Sequence, residues 1–171
     1  MILQTERLGL RRLEQSDFKA LSRILQDGEV MYAYNGAFND EETQAWLDRQ
    51  LDRYRQYGRF GLWALVLLET GEMIGQCGLT MQVWKDREVL EIGYLLQRAH
   101  WHRGYAIEAA RACKAYAFAA LDAPAVCSII RDTNLPSQRV ALRNGMVPTD
   151  TWVKHYRGVD MPHILYCVKR D

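Results

Sequence analysis

The chain predicts a mixed α+β fold, as one domain over residues 1–171. Three observations carry this. The length suits a single domain with a sizeable core. Apolar content of 49% and charged content of 25% are those of an ordinary globule. Segments of period two and period 3.6 follow one another irregularly, in the order β-α-α-β-β-β-α-β-α-β-β, and not as repeated βαβ units.

Thr5–Leu13 alternates leucines with polar residues and predicts the first strand. Ser16 and Asp17 precede an apolar stripe of Phe18, Leu21, Ile24 and Leu25, so they predict a capped helix ending near Leu25. Asp40 predicts the cap of a second helix, Glu41 to about Tyr57, with acids first and Arg53 and Arg55 last. Leu62–Leu68 and Met73–Met81 flank the turn residues Glu69-Thr70-Gly71 and predict a hairpin. Val89–Leu96 is the next strand. A helix follows from Ala106 to Leu121, with a small-residue stripe that would let it lie close to a sheet. Ala125–Ile130 reads as a short buried strand. Pro136 opens the last helix and Gly145 ends it. Val147–Val153 and Ile164–Lys169 close the chain as strands joined near Gly158-Val159-Asp160.

The richest segment is Trp101-His102-Arg103-Gly104-Tyr105-Ala106-Ile107. It lies between a strand and the start of a helix. The first N–H groups of a helix lack partners within it, and its dipole adds positive charge there. Gly104 would let an anion approach the backbone, and Arg103 could add a charged hydrogen bond. That chemistry fits a phosphate or pyrophosphate. The chain has no G-x-x-x-x-G-K-[ST] and no G-x-G-x-x-G, which argues against a Walker-type or a Rossmann nucleotide site.

Four segments in order carry a resemblance to a known family. Arg103-Gly104-Tyr105-Ala106 with Glu108-Ala109 resembles the acetyl-CoA pyrophosphate loop of the GNAT N-acetyltransferases, Q/R-x-x-G-x-G/A, with Trp101 in the leading position. That aromatic is usual in the RimJ/RimL-like branch. Thr5-Glu6-Arg7-Leu8, Leu10-Arg11 and Ser16-Asp17 resemble the branch's opening. Met73-Ile74-Gly75-Gln76-Cys77-Gly78 resembles its I-G-x-x-G strand. Asn134-Leu135-Pro136-Ser137, then Gly145-Met146, resembles its N-x-x-S segment. The resemblance implies a GNAT fold: a mostly antiparallel sheet of about six to seven strands, flanked by helices, with one splayed strand pair that holds the cofactor. It implies acetyl-CoA as cosubstrate and no metal. Trp101, His102, Arg103, Gly104, Tyr105, Ala106 and Ile107 would wrap the pyrophosphate. Leu95 and Leu96 would offer backbone groups to the pantetheine arm as a neighbouring strand would. Asn134 would bind the same arm, or serve as a cap before Pro136.

Acetyl transfer needs a neutral amine and an acid for the leaving thiolate. By position, Glu91 is the candidate base, set against a strand carboxylate paired with an arginine. The helix after Asn134 lacks the tyrosine that many family members use as acid. Ser137 stands there instead, to hold the thiolate or simply to bond backbone. His100 and His102 form an H-x-H pair with no third ligand in view. His155 and Tyr156 precede the last strand, where acceptor pockets of this fold often close. Trp46, Tyr54, Tyr57, Phe60 and Trp63 suit packing at least as well as a pocket.

Twenty-two basic and 21 acidic residues give a net charge of +1, which provides no general drive toward nucleic acid or an anionic membrane. The first dozen residues are too charged for a signal peptide. Cys77, Cys113, Cys127 and Cys167 are widely spaced among apolar residues and read as reduced thiols of a cytoplasmic protein. The expected activity is acetyl transfer to a primary amine, small-molecule or peptide, by a monomer or homodimer. The rivals are a CoA-binding sensing domain without catalysis and a phosphate-binding module unrelated to CoA.

Overall fold

The computed structural model describes residues 1–170. Its strands are β1 (Leu3–Gln4), β2 (Leu8–Arg11), β3 (Leu62–Leu67), β4 (Met73–Trp84), β5 (Arg87–Leu96), β6 (Ala125–Arg131), β7 (Val147–Tyr156) and β8 (Val159–Lys169). Its helices are α1 (Phe18–Leu25), α2 (Asp40–Tyr57), α3 (Tyr105–Ala120) and α4 (Leu135–Arg143). The strands make one sheet in the order β1-β2-β3-β4-β5-β6-β8-β7. The α+β class and the element order match the expectation, with the two-residue β1 as the addition.

Every neighbouring pair is antiparallel except β5 and β6. Those two run parallel and pair at one position, Glu91 opposite Cys127. Past it they diverge, which is the splay that the family resemblance implies.

Side chains alternate across a sheet, and cross-strand partners share a face. Trp63 meets Tyr116 of α3 edge-on at 5.7 Å, and Cys77 lies 3.7 Å from Cys113 of α3. Tyr94, the partner of Cys77, therefore stands on the α3 side. Gln76 accepts a hydrogen bond from the Trp46 indole of α2 at 3.1 Å, so Gln76, Thr80 and their neighbours Leu95 and Glu91 stand on the α2 side. Buried Ala109, Ala110, Cys113 and Ala117 form the stripe that α3 lays on the sheet. Leu47 and Tyr54 are the apolar part of the buried face of α2.

The ends of several elements differ from expectation for local reasons. Asn39, not Asp40, caps α2: its side-chain Oδ1 accepts from Glu42 N–H at 2.8 Å, and the Glu42 carboxylate accepts from Asn39 N–H at 2.9 Å. Asp17 does not cap α1 with its side chain, because Arg11 holds both carboxylate oxygens, at 2.7 and 2.8 Å. β4, β7 and β8 run beyond their apolar cores, since a ladder of backbone hydrogen bonds persists where side chains are exposed. Gly78 explains part of the I-G-x-x-G pattern. A Cβ there would strike the Gly61 carbonyl oxygen, and one on Gly75 would come within 2.6 Å of the Leu95 carbonyl.

The reading of four reduced cysteines is corrected. Cys127 and Cys167 are directly opposed on β6 and β8, with Cα atoms 4.1 Å apart, and form a disulfide. Sequence separation hid a pairing that strand register creates. Cys77 and Cys113 remain free and buried.

Candidate functional site

The gap between β5 and β6 is the centre of the site. A cavity of about 450 Å³ opens there, lined by both strands, by α2 and by β7. It reaches Glu91, Leu95, Asn134 and Ser137, four of the residues singled out in the sequence.

On the α3 side, Asn134 caps α4, accepting from Ser137 N–H at 3.2 Å. The Tyr94 hydroxyl donates to the Ser137 carbonyl at 3.0 Å. Ser137 is thus held at both its N–H and its C=O, at the mouth of the gap. Burial pushes the Tyr94 hydroxyl pKa up, so it stays protonated. Tyr94 was missed in the sequence because it sits on a strand, while the family's tyrosine is sought on the helix.

The loop from Trp101 to Gly104 turns sharply, with His102 at φ +61° and Gly104 at φ +79°. Left-handed backbone suits glycine at the second position. The first backbone bond of α3 runs from Glu108 N–H to Gly104 C=O, so the N–H groups of Tyr105, Ala106 and Ile107 precede it. Trp101 folds back, its indole donating to the Leu96 carbonyl at 3.0 Å. That carbonyl, one of the two residues' backbone groups expected to meet a pantetheine, already has a partner. Arg7 lies over the Tyr105 ring at 4.6 Å and donates to the Arg103 carbonyl at 3.0 Å. Tyr105 therefore packs against the N-terminal segment, outside the gap.

On the α2 side, the half-buried Glu91 accepts from Ile129 N–H at 3.3 Å and from the Thr80 hydroxyl at 3.4 Å. Burial raises its pKa, although Lys154, the Ile129 N–H, Thr80 and Arg53 pull the other way. A carboxyl shifted upward in a cleft has the character of a general base. The arginine pairing set against that role in the sequence is absent among the described ion pairs.

The wall facing Glu91 holds Tyr34, Trp46, Arg49, Arg53, Lys154 and Tyr156. Tyr34 meets Trp46 and Tyr156 edge-on at 5.9 and 6.4 Å. Trp46 lines the cavity, whereas Tyr54 and Trp63 are core residues. His155 lines the cavity at its exposed rim and pairs with exposed Asp160 at 2.9 Å. Arg53 and Lys154 carried no sequence signal: one belongs to an ordinary charged helix face and the other to the extension of β7.

No group of three or more His, Cys, Asp or Glu side chains among the described residues is placed to hold a metal. No helix of the described residues is long and apolar enough to cross a membrane.

Known proteins share this arrangement. Residues 7–147 match the model of the acetyltransferase (GNAT) domain. The uncharacterized protein YkkB of Bacillus subtilis is 38% identical over 145 residues, covering 84% of each chain. An uncharacterized N-acetyltransferase, p20 of Bacillus licheniformis, is 32% identical over 136 residues, 79% of this chain and 76% of that one. The crystal structure of an acetyltransferase from Agrobacterium tumefaciens superposes with a TM-score of 0.81 at 31% identity, covering 98% of this chain and 94% of that one. RimL, a ribosomal L7/L12 alpha-N-protein acetyltransferase solved in complex with coenzyme A, shares the fold at a TM-score of 0.78 and 16% identity, over 98% and 97% of the two chains. The splayed strand pair and the matched sequence agree: this chain belongs to the GNAT family and is an acyltransferase.

Proposed function

We propose that the protein transfers an acetyl group from acetyl-CoA to a primary amine. The observation that carries this is the β5–β6 gap, with a pKa-raised carboxyl on one face and the Asn134–Ser137 helix start on the other. The divergence past Glu91 leaves β5 without a strand partner on that side, and an extended pantetheine arm fits such an edge. Leu95, expected to offer backbone groups there, instead turns them to Gln76 of β4, because the bond from Gln97 N–H to the Ile74 carbonyl makes Leu95 and Gln76 a hydrogen-bonded pair. Leu96 would offer its remaining N–H, Tyr94 its backbone groups, and Asn134 its side-chain amide. Trp101 would shape the turn, and the backbone from His102 to Ile107 would take the pyrophosphate. Bound acetyl-CoA supplies an activated thioester.

Glu91 takes a proton from the ammonium, directly or through water, and frees the nitrogen lone pair. The C–N bond to the acetyl carbon forms, the C–S bond breaks, and the thiolate leaves with the bonding pair. The nitrogen sheds its second proton as the amide forms, and that proton completes free CoA at the Ser137 end. It is relayed by the Ser137 hydroxyl, which takes one proton as it gives another, while the Tyr94 O–H holds the Ser137 carbonyl and Glu91 returns the first proton to solvent. The amide and the free thiol balance the reaction. The likeness to RimL supports the RimJ/RimL-like branch, and an acyl-CoA donor suits a cytoplasmic setting.

The test is thiol release from acetyl-CoA with a panel of small amines and peptides, beside thermal shifts with CoA, ATP and NAD. Thiol release with an amine, and stabilisation by CoA well above that by ATP or NAD, is the expected result. Stabilisation by CoA without turnover on any amine would instead make the chain a CoA-binding domain.

A further inference from the structure

The wall of the cavity opposite the thioester site is cationic. Arg49 and Arg53 reach it from α2, Lys154 from β7 and Arg131 from the end of β6, while Glu91 is the one carboxylate in the lining. None of these four cations belongs to an ion pair among the described residues. Arg53 donates to the neutral Gln50 amide at 3.1 Å, Arg131 to the Tyr32 carbonyl at 2.9 Å. Lys154 lies 5.9 Å from the Trp84 ring and 5.8 Å from that of Trp152. Four like charges around one hollow repel one another, and partial burial makes Arg53, Arg131 and Lys154 costlier unless an anion joins them.

A second observation points to the same ligand. Gln76 is fully buried and lines the cavity. Its carbonyl oxygen is committed to the Trp46 indole, which fixes the amide orientation, since an indole N–H can only donate. Its Nε2 then has no partner. A buried donor left open asks for an acceptor atom, and an oxyanion supplies one.

Resting on the acetyltransferase reading, we propose that the acceptor is a small primary amine carrying an anionic group, a carboxylate or a phosphate, a few bonds from the nitrogen. The amine faces Glu91 and the gap. The anion is received by Arg53 and Lys154, with Arg49 and Arg131 completing the field, and Gln76 Nε2 donates to an oxygen of the acceptor. The cavity of about 450 Å³ must also take the acetyl end of the donor. The space left suits a small molecule, not a protein surface.

The experiment compares pairs of amines that differ in the anion: β-alanine with propylamine, and 2-aminoethyl phosphate with ethanolamine. A short peptide with aspartate after a free N-terminus is the third arm. The readout is kcat/KM for thiol release at saturating acetyl-CoA. At least one anionic amine should exceed its uncharged counterpart by about tenfold or more. Which one does so separates carboxylate from phosphate. Lys154→Met and Arg53→Met should shrink that ratio, chiefly through a higher KM for the anionic amine. The ratio is the measure because Lys154 also influences Glu91. Lys154→Glu should reverse the preference. Equal rates within both pairs, a ratio untouched by these variants, or a peptide preferred over both anionic amines would overturn the inference and leave the transferase standing. No turnover with any amine would overturn both.

Discussion

Arg7 and Glu108 stand 101 residues apart and join the N-terminal segment to the first turn of α3. The Arg7 guanidinium meets Glu108 Oε2 at 2.6 and 2.7 Å, and its backbone N–H reaches Oε1 at 3.0 Å. The Thr5 hydroxyl donates to the same Oε1 at 2.6 Å. Arg7 also holds the Arg103 carbonyl, so one side chain braces both sides of the Gly104 turn.

The consequence is a positioning role. Arg7→Ala should weaken acetyl-CoA binding several-fold while moving the unfolding midpoint little, because the pair is partly exposed. Calorimetry against acetyl-CoA, with a melt alongside, checks it. Burial pushes the Glu108 carboxyl up, but Thr5 and Arg7 outweigh it and hold its pKa below the ordinary range. A depressed acid stabilises the fold above its unfolded pKa, about 4.3. That contribution should fade as pH falls below about 4. Glu108→Gln should flatten that part of the stability–pH curve.

Glu91 carries the opposite sign. Its raised pKa keeps it protonated to a higher pH than an ordinary glutamate, so turnover should rise with pH above the usual carboxylate range. Glu91→Gln should lower kcat roughly 10²-fold and remove that limb, with acetyl-CoA affinity near normal. The pH–rate profile of the two proteins is the measurement.

Gly104→Val places a branched residue at φ +79°. The strain should cost about 1–3 kcal/mol. Acetyl-CoA affinity should fall further than stability, because the N–H groups at the head of α3 are re-aimed. A folded Gly104→Val protein with unchanged affinity would exclude this loop as the pyrophosphate site.

Gly78→Ala should destabilise by about 1–3 kcal/mol, since its Cβ meets rigid backbone at Gly61. Chemical denaturation with unchanged stability would show that β3 and β4 can part locally.

The Cys127–Cys167 bridge closes a loop of 40 residues. Its reduction should lower stability by about 2–4 kcal/mol without abolishing the fold. Intact mass with and without reductant identifies the bond, and paired melts measure its contribution.

The fold was legible because its signature residues answer to backbone and long-range demands. Gly75 and Gly78 permit close strands. Arg11 and Asp17, and Thr5, Arg7 and Glu108, form the contacts that make the opening motif recur. The segments proposed to hold the donor stand out in the sequence for the same reason. The cationic wall of the cavity does not. Arg53 looks like any solvated residue of an amphipathic helix, and Lys154 falls beyond the apolar part of β7. Only the fold brings both to the cavity that holds Glu91. The disulfide was hidden likewise, because register, not spacing, opposes Cys127 and Cys167.

The parting of β5 from β6 has a kinetic meaning. Donor and acceptor would meet through the sheet from opposite sides, with neither threading past the other. Each product then has its own exit. Direct attack within a ternary complex follows, with no acetylated enzyme between half-reactions, and initial-rate lines for the two substrates should intersect instead of running parallel.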